Sequence, residues 1–292
     1  KLILIKPKCE NKDSEFRLEK ILNKAFLNRE YDLIDTIDEL KKSNLKHKKL
    51  VFAIALGETG INIEYYRMVE YLTLNKNALV DSVAGIIVDG KSELFTKNIS
   101  RQLAFAANFA GCTFPGKALV EGTGSLANFA VAARLLSTDN YKAYEMSCCD
   151  LVDRVEKFQI IYKKMPVILV IHASSTKTSN TLLLWEKVKQ NIAENAKIEE
   201  ISLREGKLLD CRGCKYEDCL HFGESGGCFY GGVMVDKVYP AIVKCDVLVM
   251  ICPNYNDAVS ANITAFINRL SSVFRTHDFM DKKVYVIIVL GY

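Results

Sequence analysis

Pro166-Val-Ile-Leu-Val-Ile-His-Ala-Ser-Ser-Thr-Lys-Thr-Ser-Asn-Thr181 decides the fold. Val167 to Ile171 is a short β-branched run with no polar alternation, the signature of a parallel strand buried on both faces. The run breaks into a hydroxyl-rich loop, and a helical pattern begins at its end. A helix start offers backbone N–H groups without intrahelical partners and the positive end of the helix dipole, so an anion there meets fixed donors. Ser174, Ser175, Thr176, Ser179 and Thr181 add hydroxyls, Asn180 an amide and Lys177 a charge. The stretch therefore reads as a strand, a phosphate-holding loop and a helix; the plain alternative is a Ser/Thr-rich turn with an ordinary N-cap.

The same grammar recurs along the 292 residues. Apolar β-type runs at Leu2–Ile5, Tyr31–Ile37, Val51–Leu56, Val83–Val88 and Lys117–Glu121 alternate with helical patterns at Glu15–Phe26, Asn62–Leu72, Leu94–Ala110, Leu126–Leu136 and Tyr141–Phe158. After the polar Tyr162 to Met165 the plan restarts: strands at Val167–Ile171, Ile198–Leu203, Val247–Cys252 and Val284–Leu290, helices at Leu182–Ala193, Val235–Val243 and Ala258–Phe274. Strands alternating with helices make an α/β fold with a doubly wound parallel sheet, and the length suits two such domains. The expected division is 1–160 and 165–292, the second with a Cys-rich insertion at 211–228. Ending at Tyr292, the second domain is expected to lack its last βα unit, which leaves a sheet edge for another segment to cover.

Composition narrows the function. Hydrophobic residues at 49% and charged residues at 25% suit a folded globular chain, and the mean hydropathy is +0.06. A net charge of +4 is mild, and the basic run Lys41, Lys42, Lys46, Lys48, Lys49 lacks interleaved aromatics. It reads as a solvated loop, and no nucleic acid partner is expected. No apolar run approaches the ~20 residues of a membrane helix, and Leu2 to Ile5 is too short for a signal peptide. A cytoplasmic protein without a membrane partner is expected, and the absence of an initiator Met points to a trimmed N-terminus. Ten cysteines in that setting speak for thiol, metal or redox chemistry over structural disulfides.

The two halves read as a worn duplication. The first-half counterpart of the phosphate loop, Lys6 to Ser14, carries Glu10 and Asp13 and few hydroxyls, so no phosphate site is expected there. Glu121-Gly-Thr-Gly-Ser125 is a strand-to-helix turn whose two glycines serve turn geometry more simply than a ligand.

Cys252-Pro-Asn-Tyr-Asn-Asp-Ala-Val-Ser-Ala-Asn-Ile-Thr-Ala-Phe-Ile-Asn-Arg269 follows the third strand of the second half. In a flavodoxin-like order, 2-1-3-4-5, the first and third strands are neighbours and ligands sit at that switch point. Pro253, Asn254, Tyr255 and Asn256 would then face the phosphate loop, with Tyr255 free to stack on a planar ring. The segment resembles the Pro-x-Tyr-x-Gly-x-x-Ser-Ala-x-x-Lys-x-Phe-x-Asp-Arg pattern of the NADPH-dependent FMN reductase family, including its iron-sulfur flavoprotein branch, and matches it at Pro253, Tyr255, Ser260, Ala261, Phe266 and Arg269. Ala173 to Thr181 is similar to the family's Gly-Ser-x-Arg-x-x-Ser-Asn-Thr loop at Ser174, Ser179, Asn180 and Thr181. Thr176, Asn256, Asp257 and Thr264 depart from the family's arginine, aromatic, glycine and lysine; losing the arginine removes a bidentate phosphate partner that Lys177 replaces only as a point charge.

Cys211-x-x-Cys214-x4-Cys219-x8-Cys228 lies in the Gly-rich insertion, where Gly213, Gly223, Gly226 and Gly227 permit tight turns. The resemblance implies a [4Fe-4S] cluster on these four; zinc, with His221 replacing one of them, and free thiols are the alternatives. Cys9, Cys112, Cys148, Cys149, Cys245 and Cys252 read as packing, and His172 as a satisfied, partly buried imidazole. No Ser/His/Asp or Cys/His triad argues for a hydrolase.

The resemblance implies an oxidoreductase: an FMN protein that takes hydride from NAD(P)H and passes electrons to an unknown acceptor, with the flavin and no protein residue as the catalytic group. It also implies a homo-oligomer. A flavodoxin-like electron carrier without dehydrogenase activity and a flavin-free scaffold are the rival readings.

Overall fold

The computed structural model describes residues 1–10, 12–174, 179–204 and 208–289. The chain falls into two compact units, Lys1–Ile160 and Ile161–Tyr292.

In the N-terminal unit β1 (Leu2–Ile5), β2 (Tyr31–Ile34), β3 (Lys49–Leu56), β4 (Val83–Gly90) and β5 (Leu119–Gly122) form one parallel sheet in the order β2-β1-β3-β4-β5. This is the flavodoxin-like order. Side chains alternate across a strand, so β3 feeds two cores. Leu50, Phe52, Ile54 and Leu56 pack against α2 (Ile37–Lys42), α3 (Ile63–Leu74) and α4 (Thr96–Phe109), as in the cluster with Leu40, Tyr65, Met68, Leu72, Ile99 and Leu103. Val51, Ala53 and Ala55 face α1 (Phe16–Ala25), α5 (Ala130–Leu135) and α6 (Asn140–Lys157) with Leu18, Ile21, Ala133, Tyr144, Cys148 and Leu151. Helices thus cover both faces, which is why β3 and β4 show no polar alternation.

Local signals account for the departures from the sequence expectation. The strand expected over Tyr31–Ile37 stops at Ile34, because the Thr36 hydroxyl accepts the Glu39 N–H at 3.3 Å and caps α2. Lys41 and Lys42 close that helix and Lys49 opens β3, so the basic run is only partly a loop. The helix expected over Leu126–Leu136 opens on a left-handed Leu126 and a 3-10 turn, and becomes α5 only at Ala130.

In the C-terminal unit β6 (Val167–His172), α7 (Asn180–Ile192), β7 (Lys197–Ser202), α8 (Tyr216–Glu224), α9 (Tyr239–Lys244), β8 (Val247–Tyr255), β9 (Ala258–Val259), α10 (Ala261–Arg269), α11 (Ser271–Phe274) and β10 (Lys283–Val289) follow in turn. The parallel order is β10-β8-β6-β7, and β9 folds back antiparallel on β8. Counted within this unit the order is 2-1-3-4, the first four places of the same plan. One face carries α9, α10 and α11 over Leu169, Ile171, Leu248 and Cys252; the other carries α7, whose Trp185 is buried against Ile168, Val170, Val249 and Ile251. A π turn at Met234–Val238 leads into α9, where Pro240 lacks the N–H of a regular helical ladder. Among the described residues no helix is long and apolar enough to cross a membrane.

Asp246 ties the lower ends of three strands. Its carboxylate accepts the Val167 N–H at 2.9 Å and the Lys163 ammonium at 2.5 Å, its N–H reaches the Val167 carbonyl, and its carbonyl accepts the Lys283 N–H. Partial burial pushes this carboxyl up, but the Lys163 and Val167 hydrogen bonds outweigh it and hold it below 3.8. A carboxyl depressed in the folded state stabilises above its unfolded pKa and loses that contribution as pH falls through the folded one. Asp246→Ala is therefore expected to cost about 1.5–3 kcal/mol in urea unfolding at pH 7. The gap to wild type should close as the pH drops below 3.8; a gap that is flat with pH would show that the charge contributes nothing.

Candidate functional site

β6 and β8 are paired neighbours, with His172 in register with Ile251. β6 ends at His172, and β8 runs on past its expected end at Cys252 to Tyr255, so the chain after Ala173 and the turn after Tyr255 leave the same edge of the sheet. Ser174 is 2% exposed, and its hydroxyl has no hydrogen-bond partner among the described residues. A buried hydroxyl normally has a partner, so one in this place fits an oxygen acceptor brought by a ligand. Ser175, Thr176 and Lys177 lie outside the described residues. Ser179 caps α7 by accepting the Leu182 N–H at 3.2 Å, so its remaining O–H is the donor it can offer. Asn180 is exposed at the helix start, and Thr181 is buried in the first turn.

The second loop is a β-hairpin. Asn254 pairs with Val259 and Tyr255 with Ala258. Asn256 (φ 52°) and Asp257 (φ 58°) make a turn with both central residues left-handed, the kind whose twist matches the paired strands. Asn and Asp are the side chains that tolerate this conformation best, so Asp257 stands where the family pattern has glycine without breaking the turn. The expected helix over Ala258–Phe274 is corrected accordingly: Ala258 and Val259 are strand, and the Ser260 hydroxyl caps α10 by accepting the Ile263 N–H. Pro253 is buried, Asn254 half-buried and Tyr255 56% exposed. His172 is buried at the end of β6.

The cysteine insertion is more ordered than its composition implies. Cys219 lies on α8, a helix that the Cys- and Gly-rich sequence hides. Gly213 and Gly226 have positive φ and make turns, whereas Gly223 is helical and lets α8 approach α11, since a Cβ there would sit 2.7 Å from the Ser272 carbonyl oxygen. Cys211, Cys214, Cys219 and Cys228 all line one cavity of about 480 Å³ with Phe222, Phe229, Tyr230, Arg269 and Arg275. The Tyr230 hydroxyl stands 4.0 Å from the Cys214 sulfur. Burial raises the Cys219 thiol, against a lowering by Arg275. Among the described residues no three His, Cys, Asp or Glu side chains are gathered closely enough to hold a metal ion. The four sulfurs share a cavity without forming a closed ligand set, and all ten cysteines are free thiols.

The sequence reading missed the cavity's other wall. Tyr230 and Arg275 escaped notice, and Arg269 counted only as a motif match. Aromatic residues interleaved with the cysteines, Phe222, Phe229 and Tyr230, were the available signal.

Two parallel sheets in flavodoxin-like order, with paired loops at the switch point of the second, define a flavodoxin-like α/β protein. Residues 166–292 match the family model of the NADPH-dependent FMN reductases. The match takes in the C-terminal unit, less than half of the chain. No curated protein sequence matches. Among solved structures the chain is similar to RosB, crystallised with the intermediate 8-demethyl-8-formylriboflavin-5'-phosphate, at 10% identity over 74% of this chain and 96% of that one, with a TM-score of 0.36. A likeness that low carries no argument about this site.

Proposed function

We propose that the chain is an FMN-dependent NAD(P)H oxidoreductase that passes electrons from a reduced nicotinamide to an acceptor, with one FMN at the upper edge of the C-terminal sheet and an iron-sulfur cluster in the four-cysteine cavity. The observation that carries the flavin reading is the buried Ser174 hydroxyl, without a partner among the described residues, on the strand paired with the one that leads to the exposed Tyr255 ring. When bound, the flavin supplies hydride and electron transfer, and the cluster one-electron transfer. The protein's part is placement. Ser174, the Ser179 O–H and the first N–H groups of α7 would hold the phosphate, joined by Ser175, Thr176, Lys177, Asn180 and Thr181 in the same loop. Tyr255 would lie against the ring, with Pro253, Asn254 and Asn256 fixing the hairpin that presents it. Cys211, Cys214, Cys219 and Cys228 would be the ligands of such a cluster, as the resemblance implies, although among the described residues they are not gathered closely enough to hold a metal ion. Free thiols throughout suit a reducing, cytoplasmic compartment.

The N-terminal unit is proposed to hold no cofactor. At its corresponding edge the Cys9 N–H is taken by the Glu15 carboxylate at 3.1 Å, Lys6 is paired with Glu15 and Glu19, and Arg17 is spread over strand-end carbonyls. The donors that a phosphate needs are engaged within the protein.

The test is an anaerobic absorption spectrum of the chain incubated with FMN, followed by NADPH or NADH. Bound flavin bands that bleach on nicotinamide addition are expected; bands that form but persist would leave an electron carrier, and a colourless protein would defeat the flavin reading. Ser174→Ala sharpens it. The hydroxyl has no partner among the described residues, so the thermal midpoint without FMN should not fall. A hydrogen bond to a charged phosphate is worth about 1.5–3 kcal/mol, so FMN should bind roughly 10–100-fold more weakly. An unchanged dissociation constant would remove Ser174 from the site.

A further inference from the structure

Arg269 is 3% exposed, a buried cation at the end of α10. The groups beside it are neutral: one terminal nitrogen donates to the Gly231 carbonyl at 2.9 Å, the Tyr239 hydroxyl lies near, and its Nε has no partner among the described residues. A buried charge is normally paired, because leaving water without a counter-charge is costly. No carboxylate pairs with Arg269 among the described residues, and it lines a cavity of about 480 Å³. Arg212 and Arg275, both exposed, line it too, against a single carboxylate, Asp218. Another part of the wall is aromatic. Phe222, Phe229 and Tyr230 meet edge to face, with ring centres 5.5 and 5.2 Å apart, and Phe229 is left largely exposed.

We infer that this cavity binds a small planar organic monoanion, an aromatic carboxylate, with Arg269 as the residue that receives its charge. The volume is that of a ligand pocket, in which an apolar lining is combined with a few polar groups that fix orientation. The Arg269 Nε–H is a donor with nothing among the described residues to bond, and a carboxylate brings the acceptor and the opposite charge together. One buried guanidinium matches one negative charge. A phosphate dianion would bring a second, which only the exposed, solvated Arg212 and Arg275 could meet, so a carboxylate suits the burial better. The rings of Phe222, Phe229 and Tyr230 offer faces and edges to an aromatic body, and covering Phe229 takes apolar surface out of water. Arg275, whose guanidinium lies 4.3 Å from the Tyr216 ring centre, adds positive field from the surface. The site needs neither the flavin nor a metal, and the cysteines supply no ligand to it. An occupant of this kind fills the space that the separated sulfurs leave open.

The experiment titrates the full chain, purified with a chelator and without FMN, with 2-naphthoate by isothermal titration calorimetry. Saturable binding at one site is expected, and the neutral isostere 2-naphthamide should bind roughly tenfold more weakly or worse. Arg269→Gln should weaken 2-naphthoate roughly 10–100-fold, the loss of a charge-assisted hydrogen bond, and leave 2-naphthamide as it was. Arg275→Gln and Phe229→Ala alter exposed residues and should weaken 2-naphthoate roughly 2–5-fold and 2–10-fold, so misfolding of Arg269→Gln does not shield the site. Excess FMN should not compete, because its proposed place is the sheet edge and not this cavity. No binding, equal affinity for the amide, displacement by FMN, or wild-type affinity in a folded Arg269→Gln overturns the assignment. Wild-type affinity in both Arg275→Gln and Phe229→Ala beside an unfolded Arg269→Gln overturns it as well. Inorganic phosphate that binds more tightly than 2-naphthoate and displaces it overturns the choice of an aromatic carboxylate.

Discussion

Replacing Arg17 with alanine will cost the N-terminal unit about 3–5 kcal/mol of stability, the usual loss when one partner of a buried charge pair is removed. Arg17 sits in the first turn of α1, and its guanidinium donates to the Asp89 carboxylate at 2.9 Å and to the carbonyls of Gly124, Gly90 and Thr123 at 2.9, 3.0 and 2.8 Å. It thereby clamps the strand ends of β4 and β5 to α1. Asp89 is 3% exposed and also accepts the Tyr144 hydroxyl at 3.0 Å. Burial pushes its carboxyl above 3.8, with Arg17 and Tyr144 pulling the other way. Without Arg17 the opposing pull weakens, so the folded variant binds a proton more tightly than the unfolded chain does. An acid raised in the folded state contributes stability below its unfolded pKa and loses it as pH rises through the folded one. The penalty should therefore grow as the pH rises above 3.8. Urea unfolding by circular dichroism measures it, with Trp185 fluorescence marking the transition of the C-terminal unit. Arg17→Met with Asp89→Leu should recover much of the loss, because an apolar pair leaves no orphaned charge. A loss under about 1 kcal/mol in Arg17→Ala would mean that the network is a surface ornament.

The fold was legible where local chemistry and tertiary role agree. β3, β4 and β6 are mostly apolar, with Lys49, Asp89 and His172 at or near their ends, because both faces are covered, and the loop after β6 announces itself by its hydroxyls. Where one residue decides an element, the pattern misled. Thr36 ends a strand and caps a helix within an otherwise extended stretch, and Asn256-Asp257 turns the chain without the glycine that marks such hairpins. α8 was hidden because Cys219 and its glycine neighbours look like loop residues until the helix packs on α11. Partners far apart in the chain were out of reach altogether. Arg17 meets Asp89 across 72 positions of sequence separation, and Arg269 lines a cavity with cysteines 41 or more residues before it, so its burial has no local signature. Of the candidate site, Ser174, Ser179 and Tyr255 were candidates in the sequence, while the hairpin that carries Tyr255 and the arginines lining the cysteine cavity were not.

Trp185→Ala is expected to destabilise the C-terminal unit by about 3–5 kcal/mol and to abolish FMN binding with it. Trp185 is 1% exposed and anchors α7 on the sheet face formed by Ile168, Val170, Val249 and Ile251. Its Nε1 donates to the Glu200 carboxylate at 3.2 Å, and Lys189 reaches the same oxygen at 2.7 Å, so the ring is held at both its apolar body and its polar tip. Deleting it leaves a cavity under α7 and orphans part of the Glu200 acceptor set. The functional consequence follows from where α7 begins. Ser179, Asn180 and Thr181 are its cap and first turn, so a helix loose on the sheet moves the N–H groups that would hold the phosphate. Trp185→Phe keeps most of the volume and loses only the Glu200 hydrogen bond; it should cost about 1–1.5 kcal/mol and retain FMN. Circular dichroism with urea measures the first effect and flavin fluorescence quenching the second. If Trp185→Ala binds FMN as tightly as wild type despite its lost stability, the phosphate is not held by the start of α7, and the site must be sought elsewhere on the sheet.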